Sequence, residues 1–152
     1  TTSLCLEYLD ENPPKNLDVI DFGCGTGILA IAAAKLNANS VLAIDSDPQA
    51  VISSQGNVIN NRCDEIINII HSTDQDNASR CDLLMANILA NPIIELEPLF
   101  SELLNSNGTI LLSGIVKGQV EKVVQRYSKN FSDIKFANKD EWFRISATRK
   151  AY

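Results

Sequence analysis

The feature that most restricts how this chain folds is a short apolar strand that runs directly into three alternating glycines. The predicted strand is Asp18–Phe22, and Gly23, Gly25 and Gly27 follow it. An alanine-rich helix is then predicted over Thr26–Leu36. Glycine permits a tight turn and lets a ligand approach the backbone without meeting a Cβ atom, and the helix N-terminus beyond presents free N–H groups. This strand–turn–helix unit predicts an α/β fold with a ligand site at the turn.

The spacing of the glycines and two nearby acids indicate the kind of ligand. The spacing is G-x-G-x-G, whereas dinucleotide-binding proteins carry G-x-G-x-x-G. Asp21 precedes the first glycine by two positions, and Asp45 ends the next predicted strand. A carboxylate at that strand end can accept hydrogen bonds from both hydroxyls of a ribose. The glycine loop and the two acids therefore predict a nucleoside site, whereas Asp47, just before Pro48, is expected to cap the next helix.

The rest of the chain alternates between strands and helices. Strands are predicted over Asp18–Phe22, Ser40–Asp45, Ile66–Ile70, Asp82–Asn87, Thr109–Ser113, Asp133–Phe136 and Trp142–Ala147, and helices over Thr1–Asp10, Thr26–Leu36, Pro48–Asn60, Pro92–Leu104 and Gln119–Ser128. Strands separated by helix-length segments predict parallel crossovers with helices on both faces of the sheet. The polar stretch Ser72–Arg80 reads as a surface loop. The last two strands are joined by a short turn, so they must pair antiparallel.

The end of the fourth predicted strand adds a polar side chain to the same site. In an open α/β sheet, ligands bind outside the carboxyl ends of the strands, where the strand order reverses. The fourth strand ends at Asn87, which is therefore expected to face the crevice that contains Gly23 and Asp45. Its side-chain amide can both donate and accept hydrogen bonds. The alternative role for Asn87 is that of a turn or helix-cap residue.

Composition and charge exclude several classes of partner. The net charge of −6 argues against binding to a phosphate backbone, so no direct nucleic-acid partner is expected. No apolar run approaches the roughly 18–20 residues of a membrane span, and no signal peptide is recognisable, so no membrane partner is expected. The four cysteines lack metal-ligand spacing, so no metal centre is expected. We expect reduced thiols in a cytoplasmic protein, and the sequence favours no particular oligomeric state.

The strand, the G-x-G-x-G turn and the ribose acid resemble motif I of the class I methyltransferases. That family has a Rossmann-like fold with a mostly parallel seven-stranded sheet of order 3-2-1-4-5-7-6, in which strand seven is antiparallel. The antiparallel pair predicted at the end of this chain agrees with that order. The resemblance implies that the fold is α/β with helices on both faces of the sheet, and that the cofactor is S-adenosylmethionine.

A closer resemblance extends over nearly the whole chain, to the catalytic domain of the methyltransferases for large-subunit ribosomal protein eleven. The segments that carry it are T-T-S-L-C-L, V-I-D-F-G-C-G-T-G-I-L-A-I-A-A, A-I-D-S-D-P-Q-A, A-N-I-L-A, L-S-G-I and E-W-F-R-I, in that order. The resemblance implies that Thr2, Gly23, Asp45 and Asn87 contact S-adenosylmethionine, with Thr2 at its methionine end. From sequence alone, Thr2 is equally well explained as a helix cap.

The same resemblance implies an activity and a domain organisation. Methyl groups would be transferred to lysine and α-amino nitrogens of a large-subunit ribosomal protein, and Asn87 would act in catalysis by accepting the N–H groups of the incoming amine. Residues 1–152 would form a single cofactor-binding domain, without the N-terminal substrate-recognition domain that the family carries. Because that domain is absent from this sequence, we expect the chain to bind cofactor but to methylate its protein substrate poorly.

The sequence leaves other functions open. One is a methyltransferase that acts on a small molecule or a nucleic acid, and another is an NAD-dependent Rossmann oxidoreductase, although its glycine spacing would differ. A third is a cofactor-binding domain without catalytic activity. Among the remaining residues, His71 is expected to be structural and Asp74 to lie within reach of an adenine amine. Trp142 and Phe143 alternate in a strand, so one is expected in the core and the other at the substrate entrance.

Overall fold

The computed structural model describes residues 1–152 and contains a single sheet of seven strands. The strands are β1 Asp18–Phe22, β2 Ser40–Asp45, β3 Ile67–His71, β4 Cys81–Asn87, β5 Leu104–Val116, β6 Phe131–Lys139 and β7 Trp142–Arg149. The α-helices are α1 Thr2–Glu11, α2 Ile28–Lys35, α3 Pro48–Asn60, α4 Ala90–Glu95, α5 Glu97–Leu103 and α6 Val120–Tyr127. Two short 3-10 helices cover Ser72–Asn77 and Lys117–Gln119. None of the helices has the length and apolar character needed to cross a bilayer.

The order of the strands confirms the topology that the sequence resemblance implies. The sheet runs β3-β2-β1-β4-β5-β7-β6. Strand β1 pairs in parallel with both β2 and β4, and β7 runs antiparallel to both β5 and β6. The strand order therefore reverses between β1 and β4, and the carboxyl ends of these two strands lie side by side. The polar side chains that follow β1, β2 and β4 are brought to that edge of the sheet.

Four predicted elements differ clearly from the structure, and one of them is β6, which covers Phe131–Lys139 rather than Asp133–Phe136. The helix predicted over Pro92–Leu104 is two helices, α4 and α5, because Pro98 near the start of α5 lacks the N–H that a continuous helix requires. The predicted surface loop Ser72–Arg80 begins with a 3-10 helix. Strand β5 is longer at both ends than the predicted strand Thr109–Ser113. Its start pairs with β4 across a register shift, and its end pairs with β7.

Apolar side chains bury both faces of the central strands, as expected of a parallel sheet that is covered on both sides. Because successive side chains of a strand point to opposite faces, the neighbours Val19 and Ile20 belong to different clusters. The Val19 cluster packs under α1, α2 and α3, and the Ile20 cluster packs under α4, α5 and α6. Ile20, Leu84 and Phe100 are fully buried members of the Ile20 cluster.

Helix α1 is fixed to the sheet so that its first turn lies at the carboxyl ends of β4 and β5. Its residues Leu4, Cys5 and Leu9 are buried, and Cys5 and Leu9 belong to the Val19 cluster. The guanidinium of Arg144 in β7 donates to the Leu4 carbonyl oxygen at 2.8 Å. The Ser113 hydroxyl donates to the carbonyl oxygen of Thr1 at 3.4 Å. These contacts place the start of α1 beside the predicted site.

Candidate functional site

The glycine loop between β1 and α2 is held against the end of β2. The Gly23 N–H donates to the Ile44 carbonyl oxygen at 2.7 Å. Gly23 has a φ of +79°, in the left-handed region that favours glycine. A Cβ atom at Gly23 would lie 2.5 Å from Cγ2 of Ile88, too close for two carbon atoms. The loop therefore presents bare backbone at this position. Gly25 and Gly27 also have positive φ angles, of +55° and +88°.

Asp45 closes β2 and turns its carboxylate toward the loop. Its Oδ2 atom accepts the Gly25 N–H at 2.9 Å, and its Oδ1 atom accepts the Asp47 N–H at 2.9 Å. An ionised carboxylate offers about four acceptor sites. After these two backbone contacts, Asp45 therefore retains acceptor capacity for a ligand. The side chain of Asp47 accepts the Gln49 N–H at 2.9 Å, which confirms that Asp47 caps α3.

A cavity of about 300 Å³ lies between the glycine loop and the segment that follows β4. Gly23, Asp45, Ser46, Ser72 and Ile88 are among the residues that line it. Its volume is at the lower end of the roughly 300–1,000 Å³ range of small-molecule sites. The cavity therefore has the size, and through Asp45 and the loop the polar groups, of a small nucleoside site.

A larger cavity, of about 670 Å³, lies over the sheet face that the short connection between β3 and β4 leaves uncovered. Ile20, Leu42 and Arg80 line it, and so does Asp74. Asp74 does not line the cavity beside Asp45, and its place within reach of an adenine amine stays a prediction. None of the predicted glycines lines the larger cavity. We therefore assign the ligand site to the smaller cavity, which Gly23 and Asp45 line.

Asp21 lies beneath the glycine loop and does not line the smaller cavity. Its side chain is only 1% exposed, and Oδ2 has no hydrogen-bond partner. Burial raises the pKa of Asp21 from 3.8 to about 7, and the negative charge of Asp45 adds to the shift while the Ala30 backbone opposes it. The predicted role of Asp21 in cofactor binding therefore stays a prediction, because its side chain is buried away from the cavity.

The burial of Asp21 leads to a pH-dependent prediction. Because its folded-state pKa is raised from 3.8 to about 7, the stability that protonated Asp21 provides is complete below pH 3.8 and is lost as the pH rises through 7. The variant Asp21→Asn cannot ionise, so its stability relative to the wild type should be higher at pH 8 than at pH 5. Urea denaturation at both pH values measures this difference, with exposed Asp64→Asn as the control. Equal relative stability at the two pH values would contradict the prediction.

Asn87 and Thr2, which are 85 positions apart in the sequence, meet at the edge of the sheet. The Asn87 Nδ2 atom donates to the Thr2 hydroxyl oxygen at 3.2 Å, and Oδ1 is left as the acceptor of the amide. Thr1, rather than Thr2, occupies the cap position of α1, and no side-chain cap bond is formed. The helix-cap alternative for Thr2 is therefore wrong, and its hydroxyl instead accepts from Asn87; neither residue lines the cavity beside Asp45.

Ile88 lines the cavity and Gly114 packs against it, and neither residue is among those predicted from the sequence. The side chain of Ile88 lies on Gly23, and its carbonyl oxygen lies on Gly114, where a Cβ atom would be only 2.1 Å away. Gly114 has a φ of +91° and sits at a register irregularity between β5 and β7. A glycine inside an apolar strand is a known signal of a bulge or a close backbone approach. Gly114 thereby lets the segment that carries Asn87 lie close to β5.

We expect Gly114→Ala to lower the free energy of unfolding by about 1–3 kcal/mol, the usual cost of a strained backbone position. The added methyl group would face the backbone of Ile88, and the φ of +91° is unfavourable for alanine. Urea denaturation measures the effect. Gly56→Ala is the matched control, because a Cβ there meets no atom within 4 Å and Gly56 lies inside α3. Gly114→Ala with the stability of the control would show that the contact is loose.

The aromatic pair at the start of β7 was expected to have one member in the core, but neither side chain is fully buried. Trp142 is 40% exposed and pairs with Val116 at the carboxyl end of β5. Phe143 is half-buried and pairs with Ile115. Trp142 is thus the member of the pair available at the edge of the sheet where Asn87 lies. Leu89, two residues beyond Asn87, is 69% exposed.

The reversal of strand order between β1 and β4, together with an antiparallel seventh strand, is the arrangement of a class I methyltransferase domain, and the glycine loop and Asp45 lie at its nucleoside-binding edge. Comparison with known families narrows this class. The family model described as ribosomal protein L11 methyltransferase (PrmA) matches residues 1–150. The chain belongs to this family.

Individual relatives agree with the family match. A ribosomal protein L11 methyltransferase from Haemophilus influenzae is 43% identical over 150 residues, or 99% of the chain and 51% of the relative. Its counterpart from Shewanella piezotolerans is 44% identical with the same coverage of both chains. The crystal structure of ribosomal protein L11 methylase from Lactobacillus delbrueckii subsp. bulgaricus gives a TM-score of 0.87 at 33% identity, over 99% of this chain and 79% of that one. The chain spans about half the length of the curated relatives it matches.

Proposed function

We propose that this domain transfers methyl groups from S-adenosylmethionine to amino groups of the large-subunit ribosomal protein L11. The observation that carries the proposal is the meeting of Thr2 and Asn87 at the edge of the sheet where Gly23 and Asp45 line a cavity. Lysine side chains and the α-amino group are the proposed acceptors, as the family resemblance implies. The sheet order and the glycine spacing disfavour the NAD-dependent alternative.

The residues at this edge offer polar groups that suit the ribose and the methionine end of S-adenosylmethionine. Gly23 lines the cavity without a side chain of its own, and the Asp45 carboxylate has acceptor sites left for the two ribose hydroxyls. Thr2 and Asn87 supply a hydroxyl and an amide for the polar methionine end. When bound, the cofactor supplies an electrophilic methyl group on a positively charged sulfur.

The chain's own contribution to the reaction is positioning. We assign to Oδ1 of Asn87 the role of accepting an N–H of the incoming amine, which aims the nitrogen lone pair. Holding reacting atoms at about 3–3.5 Å is a large part of the rate enhancement in such transfers. A free lysine has a pKa of about 10.4, and the apolar side chains of Ile88 and Leu89 beside Asn87 would favour its neutral form by excluding water.

Charge and exposed apolar groups agree with a protein substrate. The net charge of −6 disfavours an RNA backbone and suits a basic protein partner. Leu89 and Trp142 are exposed apolar side chains. Leu89 lies two residues beyond the end of β4, and Trp142 pairs with the last residue of β5. We propose that they contact the polypeptide around the target amine.

We propose that residues 1–152 are one cofactor-binding domain and that the complete enzyme also has an N-terminal substrate-recognition domain, as the family resemblance implies. The complete seven-stranded sheet and its two hydrophobic clusters support a single folding unit. A cytoplasmic location is proposed on the four cysteines, which are all free and buried, as expected in a reducing compartment.

The experiment that tests the activity is mass spectrometry of purified ribosomal protein L11 after incubation with the full-length protein and S-adenosylmethionine. The proposal predicts mass increases in methyl-sized steps on lysine residues or the α-amino group, and none without cofactor. An unmodified ribosomal protein, together with methylation of RNA or a small molecule in the same assay, would overturn the proposed substrate.

A further inference from the structure

His71, at the end of β3, makes hydrogen bonds to two separate segments. Its Nε2 atom lies 2.8 Å from the carbonyl oxygen of Ser46, just beyond Asp45. Its Nδ1 atom lies 3.2 Å from the backbone nitrogen of Thr73 and 2.9 Å from the Thr73 hydroxyl oxygen. The imidazole therefore connects the segment after β2 with the segment after β3.

These partners fix the protonation of the ring. A carbonyl oxygen can only accept, so Nε2 must carry the proton that it donates to Ser46. A backbone N–H can only donate, so Nδ1 must offer its lone pair to Thr73. Only a neutral imidazole with its proton on Nε2 satisfies both contacts. The Thr73 hydroxyl then donates to the same Nδ1 atom.

The two connected segments form one side of the cavity that contains Asp45. Ser46 and Ser72 both line that cavity, and His71 is the direct neighbour of Asp45 in the pairing of β2 with β3. The distance between the two segments sets the width of the cavity on this side.

We propose that His71 is a positioning residue for the nucleoside half of the cofactor site, where its neutral ring holds Ser46 and Thr73 together. This role rests on the proposed function. It also differs from simple capping of the 3-10 helix Ser72–Asn77, because capping needs only the Nδ1 contact. The contact of Nε2 with the Ser46 carbonyl oxygen is not part of the cap, and Ser46 lines the cavity.

Two substitutions separate the contacts. In His71→Asn, the short amide reaches the Nδ1 position and keeps a good helix cap, but it loses the bond to Ser46. In His71→Gln, the longer amide reaches the Nε2 position and keeps that bond, but it loses the cap. Asn61→Ala is the matched control, because it removes an exposed side-chain-to-carbonyl bond of 2.8 Å at the far end of α3.

Calorimetry of the chain with S-adenosylhomocysteine, and separately with adenosine, tests the proposal. His71→Asn should weaken both ligands by a similar factor of roughly 3- to 10-fold, the value of one hydrogen bond, while its thermal midpoint stays near that of the wild type. Asn61→Ala should bind as the wild type does. Unchanged affinity in His71→Asn, with normal binding by the wild type, would overturn the role of His71 alone.

A second readout does not depend on ligand. His71 is the only histidine, so its ¹⁵N-coupled ring protons can be identified directly in the NMR spectrum of the chain. The proposal predicts the neutral form with the proton on Nε2. A proton on Nδ1, or a freely averaging ring, would overturn it. Wild-type chain that showed the predicted ring state but bound neither ligand would contradict the proposed function, and with it the role in cofactor binding.

Discussion

Replacing Asp45 by alanine should weaken binding of S-adenosylhomocysteine by about 100-fold or more. The carboxylate is proposed to accept both ribose hydroxyls, and hydrogen bonds to a charged group are each worth about 1.5–3 kcal/mol, where 1.4 kcal/mol is a factor of ten. The variant also loses the contact that holds the Gly25 N–H at 2.9 Å, which loosens the glycine loop. Both effects act in the same direction.

Isothermal titration calorimetry measures the affinity, and the neighbouring acid offers a matched control. Asp47→Ala removes a carboxylate two residues away that caps α3, so it should lower the thermal midpoint without changing affinity by more than a few-fold. Asp45→Asn keeps one acceptor oxygen and should fall between the wild type and Asp45→Ala. If Asp45→Ala bound as tightly as the wild type, the ribose would have to lie elsewhere.

Asn87→Ala in the full-length protein should lower the rate of methyl transfer by on the order of 100-fold, the cost that a misplacement of about 1 Å can have in such a site. The amide is proposed to aim the amine, and its Nδ2 atom holds Thr2 at 3.2 Å. Because the half-buried side chain has only this one hydrogen bond to the protein, the free energy of unfolding should fall by only about 0.5–1.5 kcal/mol.

The rate under saturating cofactor, followed by mass spectrometry of the ribosomal protein, separates this effect from binding. Asn68→Ala, which changes an exposed asparagine near the start of β3, is the control and should keep wild-type turnover. The kcat of Asn87→Ala should fall by on the order of 100-fold, whereas its free energy of unfolding should fall by only about 0.5–1.5 kcal/mol. Wild-type turnover in this variant would remove Asn87 from the reaction.

The main course of the fold could be predicted because its signals are local. Apolar strands, helix-length crossovers and the short turn before Trp142 were enough to predict a parallel sheet with an antiparallel partner, and the family resemblance supplied the strand order that the structure confirms. The division of one predicted helix into α4 and α5 was missed, although Pro98 was a visible signal. The extended start of β5 depends on pairing with Cys81, which no local pattern reveals.

Within the site, the sequence identified the residues but not the direction of every side chain. Asp21 lies two positions after Val19 in β1, so strand alternation places both on the face that packs under α2. Strand alternation by itself therefore predicts that Asp21 is a buried acid rather than a residue that contacts the ligand. Ile88 and Gly114 were missed because they meet across two strands, and the role of His71 depends on its register with Asp45.

In the proposed site, the glycine loop and Asp45 together hold the adenosyl group of S-adenosylmethionine. A crystal structure of the chain with S-adenosylhomocysteine would show whether they do. We expect ribose hydroxyls on the Asp45 carboxylate, the backbone of Gly23 against the ligand, and the homocysteine end beside Thr2 and Asn87. A ligand bound instead in the larger cavity lined by Ile20 and Arg80, or ribose hydroxyls without contact to Asp45, would contradict it.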